Sequence, residues 1–441
     1  MKKLVCLLLC IVLVTASFSG CKAEEEQVTL TVLTENNFLH MISLVQDVVG
    51  FLYPNITLEF ITLPMDELER QTALQSMRTE IMAGDGPDIF LLASWNQDTM
   101  TWDSSTGIEY PRIEPLFKSV EDAMANGVFL DLDEYIEKSE YINMEDHVSV
   151  IMDAGKTERG QMVLPLLYSV NMCLVDKSQI SDPDAKFETL EDITGNKDTL
   201  YTVNHMMEDW FCTMIPEFED HDNNNLILTE EQLRKAFDYA GKVFQAPENG
   251  EYIVFDTENI FSSASIGEGL LYQWKTNPDD VVPIIMRNID GGITALIEAF
   301  VAINGGTDHP DEAFKIAELF FSDEIQSDKG FYAGRNDEDT ANKYLAFEFA
   351  PESFNKECGM RTGKAAFSEE VMYDYDRVEY VNSLITHVRF TSEFDCALGD
   401  AWETLYRSYY LTSQKDSLDY QAITDEMIAE LYSDFKMMAA E

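Results

Sequence analysis

Basic residues are scarce in this sequence. Thirty Lys and Arg stand against 81 Asp and Glu, which gives a formal net charge of -51. Such a charge repels nucleic acid and anionic membrane surfaces, and it disfavours an acidic substrate unless a local basic patch exists. No Lys/Arg cluster occurs beyond the first three residues. The acidity is typical of a soluble exported protein, and we expect no nucleic-acid partner.

Motifs of common enzyme classes are also absent. The sequence contains no HExxH, GxSxG, P-loop or GxGxxG pattern, and its six histidines are scattered. We therefore expect no catalytic residue and no cofactor. A secreted carbohydrate-active enzyme remains the alternative from another class, because 81 acidic residues offer many possible carboxylate pairs.

Cysteines are few and far apart. No CxxC pair occurs among the seven, which disfavours a zinc site, and we expect no metal ion. Four lie beyond residue 21: Cys173, Cys212, Cys358 and Cys396. Disulfides in an oxidising compartment and buried free thiols are both compatible with this spacing.

The longest apolar run is short and lies at the amino terminus. Two lysines precede residues 4–14, a run with the length of a signal-peptide core. Residues 18–21, FSGC, resemble a lipobox, although Phe18 stands where leucine is usual. The resemblance implies a signal peptide over 1–20, a lipid on Cys21 and a polar tether over 21–27. A plain secretory signal is the alternative, and no later run is long enough to span a membrane.

The next segments predict an open α/β sheet. Residues 28–33 and 56–61 alternate apolar and polar side chains, and a helical pattern over 38–52 lies between them. A helix capped by Asp66 follows, and residues 89–93 form a continuous apolar run typical of a buried parallel strand. Ligands are then expected at the carboxyl ends of the strands.

Two further helices are predicted in the second half. One begins at Pro310, because proline suits the first helical turn, and buries Ala313, Ile316, Ala317 and Phe320. The tail from about residue 400 is also helical, with Ile423, Met427, Leu431 and Phe435 four residues apart.

Four segments in order resemble the family 1 extracellular solute-binding proteins, the group that includes maltose-binding protein. They are AGDGPDIF at 83–90, GVFLDLDEYI at 127–136, GQMVLPL at 160–166 with LVDK at 174–177, and residues 301–326. In the third segment Asp176 stands where the family has asparagine.

The resemblance implies an α/β, two-lobed periplasmic-binding-protein-like fold with a ligand cleft between discontinuous lobes. Lobe 1 would contain 28–166 and 293–345, and lobe 2 would contain 167–292 and 346–441. The lobes would be joined by three crossings near 164–170, 287–293 and 340–349, and would close on a solute by hinge motion.

Candidate ligand residues lie after strand ends and at the expected crossings. Aromatic faces stack on sugars and polar side chains fix hydroxyl groups. The candidates are Glu35, Asn36, Trp95, Trp102, Tyr168, Asn171, Trp210, Trp274, Gly291 and Gly292. Core packing is the alternative for each aromatic residue, and Trp402, on an amphipathic helix, is interpreted as core.

One acidic segment has a partial resemblance to a calcium-binding loop. Residues 220–231 carry oxygen side chains at the EF-loop positions one, three, five and twelve, but Asn225 replaces the usual glycine. The alternative is a polar turn before a helix capped by Thr229 and Gln232, and we favour it.

Together these features predict a monomeric, lipid-anchored protein on the extracytoplasmic face of a bacterial cell membrane. It would capture a carbohydrate and deliver it to the permease subunits of an ABC importer. Alternatives within the same fold are a peptide or another polar solute as ligand, or a sensor for a membrane kinase.

Overall fold

The computed structural model describes most of the chain beyond the leader. The described residues are 26–64, 66–94, 102–103, 108–109, 114–139, 141–182, 184–196, 200, 203, 207–221, 225–244, 279–322, 360–361, 375–410 and 419–440. Cys21, Trp95, Trp274, Cys358 and the expected crossing at 340–349 lie outside them. None of the described helices has the length and apolarity needed to cross a membrane.

Eight strands of five or more residues provide the framework. They are β1 Val28–Thr34, β2 Ile56–Thr62, β3 Ile89–Ala93, β4 Val163–Ser169, β5 Met172–Asp176, β6 Val281–Ile285, β7 Ile293–Ile303 and β8 Ile385–Phe390. Two-residue strands occur at Trp102–Asp103, Ile108–Glu109, Lys156–Thr157, Gly160–Gln161, Glu219–Asp220, Asn225–Leu226 and Met360–Arg361.

Helices of four to nineteen residues cover the strands. They are α1 Leu39–Leu52, α2 Glu67–Met82, α3 Val120–Ala125, α4 Asp133–Ile136, α5 Ser149–Met152, α6 Leu190–Gly195, α7 Met207–Thr213, α8 Glu230–Phe244, α9 Pro310–Leu319, α10 Tyr375–Asn382, α11 Glu393–Leu405 and α12 Tyr420–Met438.

The first lobe is built on one sheet, which has seven strands among the described residues. Its β2-β1-β3 half is parallel, with Val28 opposite Ile56 and Val32 opposite Ile89. The predicted βαβ unit is therefore confirmed. All five residues of β3 are buried, as its continuous apolar sequence predicts, because the strand has neighbours on both sides and layers on both faces.

The long strand β7 joins the two halves of this sheet. It runs antiparallel to β3 on one side and to β4 on the other, while its first residues pair in parallel with β8. Its sequence, ITALIEAFVAI, is apolar apart from Thr294 and Glu298. One carboxylate, Glu298, therefore lies within an otherwise buried strand.

Each face of the sheet has its own apolar layer. On one face, α1 contributes Met41 and Val45, Phe38 directly before it packs beside them, and α9 contributes Ala313 and Ile316. On the other face, α2 contributes Leu74 and Met77, and α3 contributes Ala123 and Met124. This arrangement matches the helical spacing in the sequence, since residues three and four apart share one face of a helix.

The second lobe has a separate hydrophobic core. The antiparallel pair β5–β6 packs with α6, α7, α8, α11 and α12 around Trp210, Phe211, Phe237 and Trp402. Leu431 and Phe435 of α12 are buried there, and Ile423 and Met427 are partly buried. Trp402 is 3% exposed, so its interpretation as core is confirmed.

Several local predictions follow the capping chemistry of the sequence. The Asp66 carboxylate accepts hydrogen bonds from the backbone of Leu68 and Glu69 and so begins α2. Pro310 stands at the start of α9, and the four predicted apolar residues there are buried. Gly84 and Gly86 adopt φ angles of 83° and 107°, which end the α2 segment and turn the chain toward β3.

The crossings between lobes are partly described. The first runs from β4 into β5, and the second from β6 into β7, where Met286 donates its backbone N–H to the Asn171 carbonyl. A further crossing runs from β8 into α11. Residues 375–390, which fall in the range expected for lobe 2, contribute Val378, Val381 and Phe390 to the apolar layer of the first sheet.

Candidate functional site

Polar residues lie along the edge of the first sheet where β1, β3 and β4 end. Thr34 ends β1, Ser94 follows β3, and Ser169 ends β4. Antiparallel β7 brings Glu298 to the same edge, where its carbonyl accepts a 2.9 Å hydrogen bond from the Ser94 backbone. The Ser169 hydroxyl donates to the Glu298 carboxylate. We call these four residues the edge row.

The edge row contains buried polar atoms that have no hydrogen-bond partner among the described residues. They are the hydroxyl oxygens of Thr34 and Ser94, and Arg287 Nε at the second crossing shares this property. An unsatisfied buried polar group costs about 1–3 kcal/mol. Such atoms at one end of a sheet are suited to hydrogen-bond an incoming polar ligand.

Glu35 follows β1 and is held by a buried arginine. Arg70 Nη2 donates to Glu35 Oε1 at 2.9 Å, and the two side chains are 4% and 13% exposed. Arg70 also donates to the carbonyls of Pro64 and Glu114, so three segments fix its position. Burial raises the pKa of Glu35, although the Arg70 charge opposes this shift.

The first two crossings are tied together by side chains from both lobes. Asn171 Nδ2 donates to the Thr213 hydroxyl of α7 at 2.9 Å. Trp210 Nε1 donates to the Arg287 carbonyl at 3.0 Å, and Asn288 Nδ2 donates to Thr294 at 3.1 Å. These contacts fix the position of the two crossings, and so of the start of the second lobe, relative to the edge row.

The turn at the second crossing depends on its glycines. Gly291 adopts a φ of +90°, which disfavours other residues. A Cβ on Gly292 would lie 1.9 Å from Thr386 Oγ1, so only glycine allows this close approach to β8. Both residues therefore have a structural reason to be glycine, and their role in ligand binding stays a prediction.

The predicted ligand residues fall into distinct environments. Glu35, Asn36 and Asn171 lie near the edge row and the crossings. Tyr168 and Trp210 are both 0% exposed, and each uses its polar atom internally, Tyr168 by donating to Asn382. In this structure these two aromatic rings are core residues with no surface for a ligand. The sequence does not distinguish the two roles, because core packing and stacking on a sugar both favour large aromatic side chains.

The side chains of three predicted aromatic residues lie outside the described part of the structure. Trp102 lies in a two-residue strand whose backbone pairs with Glu109, and its side chain is outside the description. Trp95 and Trp274 lie outside the described residues.

Four residues of this region were not expected from the sequence: Ser169, Glu298, Arg287 and Arg70. Glu298 had a detectable signal, since it is the single carboxylate in an eleven-residue apolar strand. Arg70 lies one turn before Leu74 on the buried face of α2, which is a similar signal. No such sequence signal marks Ser169 or Arg287, because their positions depend on how distant strands pair.

The segment 220–231 adopts a ribbon followed by a helix. Glu219–Asp220 pairs with Asn225–Leu226, and Asp220 lies opposite Asn225. Thr229 and Gln232 exchange hydrogen bonds at the start of α8, with the Gln232 N–H donating to Thr229 Oγ1 at 3.2 Å. The capped helix start favoured from the sequence is confirmed. Residues 222–224 lie outside the description.

A second polar contact between the lobes lies beside this ribbon. His221 Nδ1 is 3.0 Å from Asp122 Oδ1 of α3 and 3.3 Å from Glu219 Oε1. Burial and the Asp122 charge raise the pKa of Glu219 to about 7. Burial alone would lower the pKa of His221, but the Asp122 hydrogen bond and the surrounding carboxylates raise it to about 9.

The described cysteines form no disulfide with one another. Cys173, Cys212 and Cys396 are all buried in the second lobe. Burial raises the pKa of the Cys173 thiol to about 12, so this thiol is unreactive at neutral pH.

The fold resembles solved structures over nearly the whole chain. An extracellular solute-binding protein family 1 from Alicyclobacillus acidocaldarius has a TM-score of 0.52 at 12% identity, covering 94% of this chain and 100% of that one. The sugar-binding protein MalE from Xanthomonas citri has a TM-score of 0.55 at 11% identity, with 92% and 97% covered.

A third structure is similar to the same extent. The cyclic alpha-maltosyl-1,6-maltose binding protein from Arthrobacter globiformis has a TM-score of 0.50 at 12% identity, covering 92% of this chain and 99% of that one. No protein-family model matches the sequence, and no curated protein matches it. At these identities the likeness establishes the fold: the chain has the two-lobed α/β fold of solute-binding proteins.

Proposed function

We propose that the chain is the extracytoplasmic solute-binding component of an ABC importer and that it captures a carbohydrate between its lobes. The edge row is the observation that carries this proposal. It includes two buried hydroxyls without a partner among the described residues, and it lies at the sheet edge where β4 ends and the chain crosses to β5. Ligands of open α/β sheets bind at such carboxyl ends.

The chemistry of the edge row suits a sugar. Hydroxyl groups both donate and accept hydrogen bonds. The edge row offers the hydroxyls of Thr34 and Ser94 and the carboxylate of Glu298 along one edge of the sheet. Trp95 and Trp102, which follow β3 in sequence, would add aromatic faces for stacking. Two of the similar structures are named as sugar-binding proteins, which supports the same ligand class.

Capture would proceed by closure of the lobes. A solute that contacts both the edge row and the second lobe favours the closed arrangement by its differential affinity for the two states. The crossings at Asn171 and Arg287 would act as the hinge, since each lies between a strand of the first sheet and the second core. Glu35, Asn36, Gly291 and Gly292 belong to this proposed site.

Binding without chemistry is favoured over catalysis. The fold neighbours are described as binding proteins. The closed form would then dock on the permease subunits, with the lipid on Cys21 holding the monomer at the membrane.

Thermal unfolding of the chain without its first 21 residues tests the proposal. A panel of mono- and oligosaccharides, amino acids and peptides would be compared. A ligand at 100 times its dissociation constant adds roughly 2.7 kcal/mol to the stability. We expect one saccharide class to raise the unfolding temperature while the saccharide is recovered unchanged. A shift with peptides alone would overturn the carbohydrate assignment, and formation of product would favour the enzyme alternative.

A further inference from the structure

A cavity of about 400 Å³ lies between α3 of the first lobe and the 219–226 ribbon of the second. It is separate from the edge row. Glu219 and His221 line it, and Asp122 lies beside His221. One ligand atom from each of these three residues lies within 4.8 Å of the others. We call these three residues the inter-lobe triad.

The inter-lobe triad has the spacing of a tetrahedral metal site. His221 Nδ1 lies 3.0 Å from Asp122 Oδ1 and 3.3 Å from Glu219 Oε1. Zinc bonds of about 2.0–2.1 Å to nitrogen and oxygen place neighbouring ligand atoms about 3.3 Å apart in a tetrahedron. An ion could therefore enter with small side-chain shifts.

The hydrogen-bonding pattern leaves one ligand atom unused. The Glu219 side chain is 6% exposed. Its Oε1 has no hydrogen-bond partner among the described residues, and its neighbour is His221 Nδ1 at 3.3 Å. A metal ion at this point would replace the 3.3 Å pair between His221 and Glu219 with direct bonds to both side chains.

Charge and geometry indicate which ion fits. Two carboxylates neutralise a divalent cation, and the imidazole nitrogen favours zinc or a similar transition metal over calcium, which takes oxygen ligands. The adjoining cavity leaves space for water as a fourth ligand. We propose that the inter-lobe triad binds a zinc-class divalent ion and links α3 of the first lobe to the ribbon of the second.

This linkage would add a further contact between the two hydrophobic cores. Asp122 is fixed because the Ser119 hydroxyl caps α3 and because Ala123 and Met124 pack under the first sheet. Glu219 and His221 follow Phe218, which packs in the second core. The proposed site does not depend on which solute the edge row binds.

Zinc titration by calorimetry tests this proposal on the chain without its first 21 residues. The protein is first freed of metal with a chelator and studied at pH 8, because metal binding displaces protons from its ligands and is therefore favoured by raised pH. Excess calcium is present to fill sites made only of carboxylates, which an acidic chain offers in number. We expect one zinc ion per chain in a saturable phase, and His221→Gln should weaken this phase at least tenfold.

Two variants and a spectrum complete the test. His309→Gln, at the start of α9, should leave zinc binding unchanged, and Asp122→Asn should weaken it like His221→Gln even if one of the triad variants proves unstable. X-ray absorption at the zinc edge should show nitrogen and oxygen ligands at about 2.0–2.1 Å. Absence of the saturable phase, its persistence in both triad variants, or sulfur ligation would overturn the proposal.

Discussion

Arg389 Nη1 lies 2.6 Å from Asp395 Oδ2, and both side chains are buried where the chain passes from the first sheet into the second lobe. Arg389 belongs to β8, and Asp395 lies in the first turn of α11. Asp395 also accepts from the Ser392 backbone at 2.9 Å, and Arg389 Nη2 donates to the Cys212 carbonyl of α7 at 3.1 Å. The pair therefore fixes the crossing to both lobes.

Replacing Asp395 should cost stability. Asp395→Asn leaves the Arg389 charge buried without its counter-ion, and we expect the free energy of unfolding to fall by about 3 kcal/mol. Urea unfolding measures the change. Asp425→Asn is the matched control, because Asp425 forms a surface pair with Arg234 and surface pairs contribute little. Equal effects in both variants would contradict the structural role of the buried pair.

Glu35 predicts a particular dependence of stability on pH. Burial raises its pKa above the ordinary value of 4.5. Between pH 4.5 and this raised pKa, the folded state therefore binds the Glu35 proton more tightly than the unfolded state does. The contribution of Glu35 to stability therefore falls as pH rises upward from about 4.5 through the raised pKa. Glu35→Gln lacks this titration.

Urea unfolding of both proteins at a series of pH values from 4.5 upward measures the effect. The stability of the wild type minus that of Glu35→Gln should decrease with rising pH. A difference that stays constant, or increases, would show that the Arg70 pair rather than burial dominates the ionisation of Glu35.

The two tryptophans after β3 should affect ligand binding rather than folding. We expect Trp95→Ala or Trp102→Ala to weaken saccharide binding about tenfold, which corresponds to about 1.4 kcal/mol. Trp402→Ala is the contrasting variant. Its ring centroid lies 4.9 Å from that of Phe211 in the second core, and its loss should destabilise the fold by about 4 kcal/mol. Unchanged affinity in both Trp95→Ala and Trp102→Ala would remove the first-lobe aromatic platform from the proposed site.

Glu298 should contribute to affinity through its charge. Glu298→Gln keeps the shape of the side chain and a hydrogen bond with Ser169, but it removes the charge-assisted bond that a sugar hydroxyl would make. We expect saccharide binding to weaken about tenfold. Calorimetric titration would measure it, with Glu134→Gln as a control because that side chain is 89% exposed on α4. Equal affinity in the wild type and Glu298→Gln would exclude a direct contact.

Local chemistry explains which parts of the fold the sequence predicts. The Asp66 cap, the proline at the start of α9 and the apolar run of β3 each act within a few residues, so they are visible without the fold. The resemblance to solute-binding proteins supplied the two-lobed architecture that these local signals could not provide.

The remaining features depend on contacts between distant residues. Asp122 and His221 are 99 residues apart, and Arg389 and Cys212 are 177 apart, so neither contact has a sequence signature. Tyr168 and Trp210 show the converse problem, because an aromatic residue near a crossing suits the core as well as a cleft. Their full burial is decided by the packing of the two lobes.

Small-angle X-ray scattering with and without a bound saccharide tests the central claim most directly. Capture between two lobes requires that the solute favour the closed arrangement. We predict that the radius of gyration decreases on adding the saccharide that raises the unfolding temperature, and that it saturates at the same concentration. A saccharide that binds tightly and leaves the radius of gyration unchanged would contradict capture by hinge closure.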